Sequence, residues 1–249
     1  MALASFLLRT RTWLLTASAL SWTWLGVSAA ETAHRRNDNY LVYRIDPQKD
    51  QLRLLWKDPQ GNRFGSFRRV RDALEIQGQR LLFAMNAGIF STEYAPLGLH
   101  IEDGRVLRPL NGAKGWGNFF LKPNGVFFLA NKKAAVVDTA TYATLKVKPD
   151  IATQSGPLLV FHGKLHPKFF PDSLSLYIRN GVGVTEDNQV VFAMSLVPIN
   201  LYEFATLFRD TLGCPNALYL DGSISQLYAP GLGQEFLGGD FAGILAHTR

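Results

Sequence analysis

A chain of 249 residues that is 47% hydrophobic and 18% charged is too apolar for a disordered acidic or basic protein and has room for one substantial core. Its formal net charge of +6 is scattered, with small clusters at Arg68-Arg69-Arg71 and Lys132-Lys133, and lacks the dense basic stripe with interleaved aromatics that a nucleic-acid groove needs. An anionic sugar or phosphate-bearing partner remains compatible with it.

The first thirty residues stand apart. Arg9 and Arg11 precede the uncharged run Trp13 to Val27, and Ser28-Ala29-Ala30 follows; this is the pattern of a secretory signal peptide cut near Ala29 or Ala30. A retained membrane anchor is the competing reading, but the run is short for a bilayer crossing of about 20 residues. The predicted organisation is a signal peptide over 1–30 and a single domain over 31–249. The mature protein would be periplasmic or secreted, without a transmembrane anchor, and its net charge would fall to +4 when Arg9 and Arg11 leave with the leader. The lone Cys214 has no internal disulfide partner and reads as a small buried residue at a helix-to-strand turn.

In the mature chain, Glu31 to Asn39 is a polar linker. Tyr40–Ile45 and Gln51–Trp56, joined by a turn at Asp46-Pro47, predict a first hairpin. Ser66 caps a short helix whose apolar face carries Phe67, Val70 and Leu74. The strand Leu81–Met85 opens onto Asn86-Ala87-Gly88-Ile89-Phe90, where an amide and a glycine stand at the strand end. Asn86 can donate and accept a hydrogen bond, which suits a sugar hydroxyl or a phosphate oxygen.

Two hairpins are predicted next, Leu99–Ile101 with Arg105–Leu107 and Asn118–Leu121 with Val126–Leu129, each with a glycine in its turn. His100, between Leu99 and Ile101, is expected at the surface and stays a minor site candidate. Ala135–Val137 is a weak strand. In Ile151 to Val160, the residues Thr153-Gln154-Ser155-Gly156 put small donors beside a flexible backbone, a nest for an oxygen ligand. Ser155 lacks the setting of a nucleophile. His162 and His166 read as loop residues and not as metal ligands.

Leu174–Ile178 alternates like a strand and leads into Arg179-Asn180-Gly181, where the guanidinium is placed to clamp an anion. Asn200 to Leu212 is the clearest helix: Asn200 with Glu203 forms a capping box, Leu201, Phe204, Ala205, Phe208 and Leu212 share a face, and Gly213 stops it. It feeds the buried strand Leu218–Leu220, which ends at Asp221-Gly222-Ser223. A carboxylate at a strand end reaches a ligand while its backbone is held by the sheet. The tail reads as a loop around Gly238-Gly239-Asp240 and a final strand near Phe241 to Ala246.

The four elements Asn86-Ala87-Gly88-Ile89-Phe90, Thr153-Gln154-Ser155-Gly156-Pro157, Arg179-Asn180-Gly181 and Leu220-Asp221-Gly222-Ser223, in this order and each at a predicted strand end, resemble the phosphodiester glycosidase family from about residue 80 to the carboxyl end. The chain departs from the family's usual glycines at Ala87 and Ser223. The resemblance implies an α+β fold, a mixed and mainly antiparallel β-sheet core with few covering helices, and hydrolysis of the glycosidic bond of a sugar-1-phosphodiester in a cell-envelope glycan or related metabolite. It implies Asp221, Arg179 and Asn86 as catalytic residues and Gly88, Gln154, Ser155, Gly156, Asn180, Gly222 and Ser223 as substrate-binding residues. Asp240 and Glu93 are nominees for a second carboxylate. No cofactor is implied with certainty; a divalent cation at Asp221 is left open. The alternative is a noncatalytic periplasmic carbohydrate-binding protein with Trp116, Tyr94 and Phe90 as a sugar platform.

Overall fold

Runs of alternating or continuous apolar residues account for the three sheets of the computed structural model, which describes residues 34–37 and 39–249; the predicted signal peptide lies outside them. Every strand pair is antiparallel. The expected α+β class, with few covering helices, is what the chain adopts.

The largest sheet has seven strands. In spatial order they are β1 (His34–Arg36), β2 (Tyr40–Ile45), β13 (Val190–Ser195), β12 (Asn180–Val184), β14 (Asn216–Asp221), β10 (Leu158–Phe161) and β11 (Lys164–Leu165). A four-stranded sheet holds β15 (Leu227–Tyr228), β4 (Leu81–Asn86), β16 (Ile244–Thr248) and β3 (Gln51–Leu55). A five-stranded sheet holds β6 (Arg105–Arg108), β5 (His100–Glu102), β9 (Ile151–Ser155), β7 (Gly125–Ala130) and β8 (Lys133–Asp138). The largest core cluster draws on all three, for example Leu218 and Leu220 of β14, Phe83 and Met85 of β4, and Phe127 and Leu129 of β7. Burying leucine- and phenylalanine-sized side chains stabilises by about 1.5–3 kcal/mol each, so this shared core holds the sheets to one another.

Helix α1 (Phe67–Ile76) starts where Ser66 Oγ accepts from Arg69 N and buries Phe67, Val70 and Leu74. Helix α2 (Thr139–Thr144) is capped by Asp138, and helix α3 (Leu201–Thr206) carries the predicted capping box of Asn200 and Glu203. A wider π-type turn, Leu207–Thr211, extends it, with Leu212 N donating to Leu207 O. Its apolar face packs Phe204 and Phe208 over Ala217 and Tyr219 of β14, with Cys214 in the same cluster. Burial pushes the Cys214 thiol up to about 12, so it stays protonated and unreactive.

Four local expectations are corrected. The turn at Asp46-Pro47 is a corner between sheets and not a hairpin: β2 pairs with β13, whereas β3 pairs with β16. Asn118–Phe120 is a short 3-10 turn, and β7 finds its partner in β8. Residues 174–178 form no strand and only bridge Ile199 through Tyr177. His100 is fully buried, because β5 is covered on both faces, and its Nε2 lies 2.7 Å from Glu102 Oε1.

Candidate active site

Strand β14 sits between β12 and β10 and is buried along its length except at Asn216. Ala217 and Tyr219 pack under α3, and Leu218 and Leu220 enter the central core, so the strand is held from both sides until it ends at Asp221. There the register with β12 shifts, with Asn180 opposite Asp221 and Gly181 opposite Tyr219. The extra residue on β14 is the local irregularity that bulges bring to strand ends near functional sites.

Asparagines hold this end in place. Asn180 Oδ1 accepts from Asp221 N at 2.8 Å, and Asn180 Nδ2 donates to Asn86 Oδ1 at 2.9 Å. Asn86 Oδ1 also accepts from Gln226 N at 2.9 Å, and Ser225 Oγ donates to Asp221 O at 2.9 Å. Both asparagines are buried, where hydrogen bonds are electrostatically stronger than at the surface, and Asn86 Nδ2 is left without a partner. They staple β4 of one sheet to β12 and β14 of another. Ser155 Oγ donates to Leu220 O at 2.8 Å, a second staple, from β9 of the third sheet. Asp221 therefore emerges where three sheets meet.

Glycines make the junction tight. A Cβ on Gly88 would lie 2.6 Å from Gln154 O, and one on Gly156 would lie 2.7 Å from Asn124 Cβ. Gln154 completes the junction from inside: its Oε1 accepts from Leu99 N and Asn111 N, and its Nε2 donates to Asn111 O. All of its strong hydrogen-bonding capacity is spent in the protein.

Beside Asp221 opens a cleft of about 580 Å³, within the range of small-ligand sites. Its walls are Ile89 to Thr92 after β4, Gly117 and Asn118, Ser175 and Tyr177, and Tyr219 with Asp221 to Ile224. Asp221 carries the one carboxyl group on these walls among the described residues. It is 6% exposed, and burial raises its carboxyl above the usual range, against the opposing pull of the Ser223 and Gly222 amides. Those amides donate to Asp221 Oδ1 at 2.8 and 2.6 Å.

Arg179 lies behind the wall next to Asp221, its Nη1 3.5 Å from where a Cβ on Gly222 would stand. It is fully buried: Nε donates to Ile199 O at 2.8 Å, Nη2 to Ser175 O at 2.6 Å and Nη1 to Tyr219 Oη at 3.1 Å. Its guanidinium also lies 5.4 and 5.5 Å from the ring centres of Tyr177 and Tyr219. Among the described residues it has no ion pair with a carboxylate. A buried cation without a counter-ion costs several kcal/mol, and Ser175, Tyr177 and Tyr219 all belong to the cleft wall. The wall therefore carries a positive field from behind.

Of the sequence-predicted residues, Asp221, Gly222 and Ser223 line the cleft, Arg179 stands one side chain behind it, and Asn86, Asn180, Gly88, Gln154, Ser155 and Gly156 build the junction beneath. Phe90 lines the cleft and stacks on Tyr94, with ring centres 5.6 Å apart. Neither nominee for a second carboxylate is on the walls. Asp240 is drawn away by an ion pair to Arg63 at 2.6 Å, and Glu93 is exposed. Among the described residues no group of three or more His, Cys, Asp or Glu could hold a metal ion. A cation at Asp221 would find a single carboxylate, short of the oxygen set that hard cations prefer.

Tyr219, Ser175, Tyr177 and Asn118 were missed. For Tyr219 the signal existed: it lies two residues before Asp221, on the same side of the strand. Its hydroxyl fits only because Gly222 has no side chain, since a Cβ there would sit 1.7 Å from Tyr219 Oη. With that hydroxyl pinned by Arg179, Gly222→Ala is expected to displace the loop after Asp221, cost about 1–3 kcal/mol and lower ligand affinity. Thermal unfolding with and without ligand checks this; an unshifted midpoint would contradict it.

Comparison with known proteins gives a consistent picture. The family model described as phosphodiester glycosidase matches residues 79–239. The uncharacterized protein YigE of Escherichia coli strain K12 is 39% identical over 190 residues, 76% of this chain and 74% of its own. Among solved structures, the zebrafish N-acetylglucosamine-1-phosphodiester alpha-N-acetylglucosaminidase catalytic domain, auto-inhibited by its pro-peptide, aligns with a TM-score of 0.62 at 16% identity, over 86% of this chain and 80% of that one. A Burkholderia pseudomallei K96243 protein described as exported aligns with a TM-score of 0.55 at 11% identity, over 84% of this chain and 73% of that one. At these identities the structural matches speak for the fold.

Proposed function

Because the chain belongs to the phosphodiester glycosidase family, we propose that it is an exported hydrolase that cleaves the bond between a sugar carbon 1 and the oxygen of a phosphodiester. The observation that carries this reading is the pairing of charges at one end of the cleft: a lone buried carboxylate on its wall and, behind the neighbouring Tyr219 and Gly222, a buried arginine without a counter-ion. The bond to be broken develops positive charge on the sugar ring and negative charge on the departing phosphate. A carboxylate facing the ring and a cation behind the phosphate stabilise both.

In this scheme Asp221 is the base. Its raised carboxyl pKa makes it a better proton acceptor than an ordinary aspartate, and it is the group that takes the proton from an attacking water. Water oxygen bonds to carbon 1, the carbon–oxygen bond breaks, and its electron pair leaves on the phosphate. Phosphate is a good leaving group, so no second carboxylate is required as acid, and a single displacement inverts the configuration at carbon 1. Arg179 acts through the wall. At an effective dielectric of about 20, a charge roughly 6 Å away gains about 3 kcal/mol from it.

Tyr219 passes that field to the cleft. Accepting from Arg179 leaves its own proton to donate, and burial with the neighbouring Asp221 pushes its phenol up to about 12 despite the arginine, so it stays protonated across the working range. Tyr219→Phe is expected to lower kcat about tenfold or more with a smaller change in KM, and to cost about 1–3 kcal/mol because Arg179 Nη1 loses its acceptor. Steady-state kinetics and urea unfolding measure the two effects; unchanged kcat would remove Tyr219 from the scheme.

The experiment for the proposal itself offers purified protein a panel of sugar-1-phosphodiesters, with and without chelator, and reads the products by NMR. Free reducing sugar, first seen as the inverted anomer, together with a phosphate monoester is the expected result. Loss of turnover on chelation would add a cation to the site. Saturable sugar binding without cleavage across the panel would replace the enzyme with a carbohydrate-binding protein.

A further inference from the structure

The loops on either side of the cleft mouth carry large apolar side chains in full contact with solvent. Trp116 is 97% exposed and Leu174 is 91% exposed; each precedes a residue of the cleft wall, Gly117 and Ser175 respectively. Phe170 and Leu176, on the second loop, are exposed as well. The placement of that loop has a cause. Arg179 pulls Ser175 O inward with a 2.6 Å hydrogen bond, and Pro171 O accepts from Asn200 Nδ2 at 2.8 Å, so the backbone is tied down on both sides of Leu174 while its side chain stays outside.

Leaving such groups in water forgoes the free energy of burying them, and two separate protruding points differ from the flat, packed patch of a protein interface. Their neighbours decide the occupant. Lys114 stands two residues before Trp116 and Lys168 two residues before Phe170, against the single acid Asp172 in these two loops. Tryptophan and leucine at loop tips beside lysines are the combination that inserts among lipid acyl chains while the cations meet anionic head groups. Among the described residues no helix is long and apolar enough to cross a membrane, so contact of this kind would be peripheral.

We propose that the cleft mouth docks on an anionic membrane surface, and that the substrate is a sugar joined through a phosphodiester to a lipid alcohol. The substrate class rests on the glycosidase reading above; the docking surface does not. Hydrolysis then places water oxygen on carbon 1 of the sugar and leaves the lipid as its phosphate monoester, with the alkyl chain running from the phosphate past Trp116 and Leu174 into the bilayer. Such a substrate is supplied by a reaction that transfers a sugar onto a lipid phosphate or a sugar phosphate onto a lipid alcohol.

Two measurements test this without needing turnover. In co-sedimentation, vesicles of three parts phosphatidylglycerol to seven of phosphatidylcholine are expected to bring down the purified protein, phosphatidylcholine vesicles much less, and the Trp116→Ser, Leu174→Ser double variant is expected to stay in solution. No sedimentation, equal sedimentation with both vesicles, or an unaffected double variant overturns the docking surface. In titration calorimetry, octyl phosphate is expected to bind at least about tenfold more tightly than ethyl phosphate, the gain from lodging about two methylenes. That gap should close in the double variant, and equal affinities in the wild type overturn the lipid substrate. A protein that passes both yet releases no sugar would refute the glycosidase reading alone.

Discussion

Replacing Asp221 by Asn is expected to lower turnover at least about a hundredfold and to leave the fold intact. Asparagine keeps an oxygen for the Gly222 and Ser223 amides but takes no proton from water. Stability should move in the opposite direction to activity. Burial holds the folded-state pKa of Asp221 above its unfolded value, so its contribution is most favourable at low pH, where both states are protonated. That contribution falls as pH rises from the unfolded value through the folded one. The amide does not titrate, so the variant should be at least as stable as the wild type at neutral pH and lose that advantage in acid. Urea unfolding at acid and neutral pH measures the difference. A variant that turns over normally would remove Asp221 from the chemistry.

The second large effect is at Arg179. Lysine keeps the charge but supplies no planar fork, so it cannot reach Ile199 O, Ser175 O and Tyr219 Oη together. Arg179→Lys is expected to cost about 2–4 kcal/mol, from carbonyls and a hydroxyl left without partners, and to raise KM for phosphodiesters while slackening the loop that carries Ser175. Both effects follow from one cause, because the side chain that tethers the cleft wall also supplies its field. Stability within about 0.5 kcal/mol of the wild type, with unchanged KM, would mean that Arg179 does neither.

How far the sequence discloses this site depends on the kind of information each residue carries. Local signals were reliable: Ser66 and Asn200 cap the helices predicted from them, and the apolar run before Asp221 is a buried strand that ends at the carboxylate. Pairing was not legible, because a strand's partner is chosen by tertiary packing and not by the nearest turn. Hence β2 and β3 looked like a hairpin yet part into different sheets. Leu174–Ile178 alternates as a strand does, but the inward pull of Arg179 on Ser175 makes it a loop with exposed leucines. The four polar elements were recognisable as strand ends. Which of them would face the cleft depended on how three sheets meet: Asp221 and Ser223 come to its wall, while Gln154 and Asn180 are used up as internal hydrogen-bonding partners. His100 shows the same limit, since alternation in β5 cannot reveal that both faces are covered.

In the proposed reaction the cleft breaks the bond on the sugar side of the phosphodiester. Hydrolysis in water enriched in oxygen-18, with the products analysed by mass spectrometry, tests it most directly. The expected result is label on carbon 1 of the released sugar and an unlabelled phosphate monoester. Label in the phosphate would mean attack at phosphorus, and Asp221 and Arg179 would then serve a phosphodiesterase and not a glycosidase.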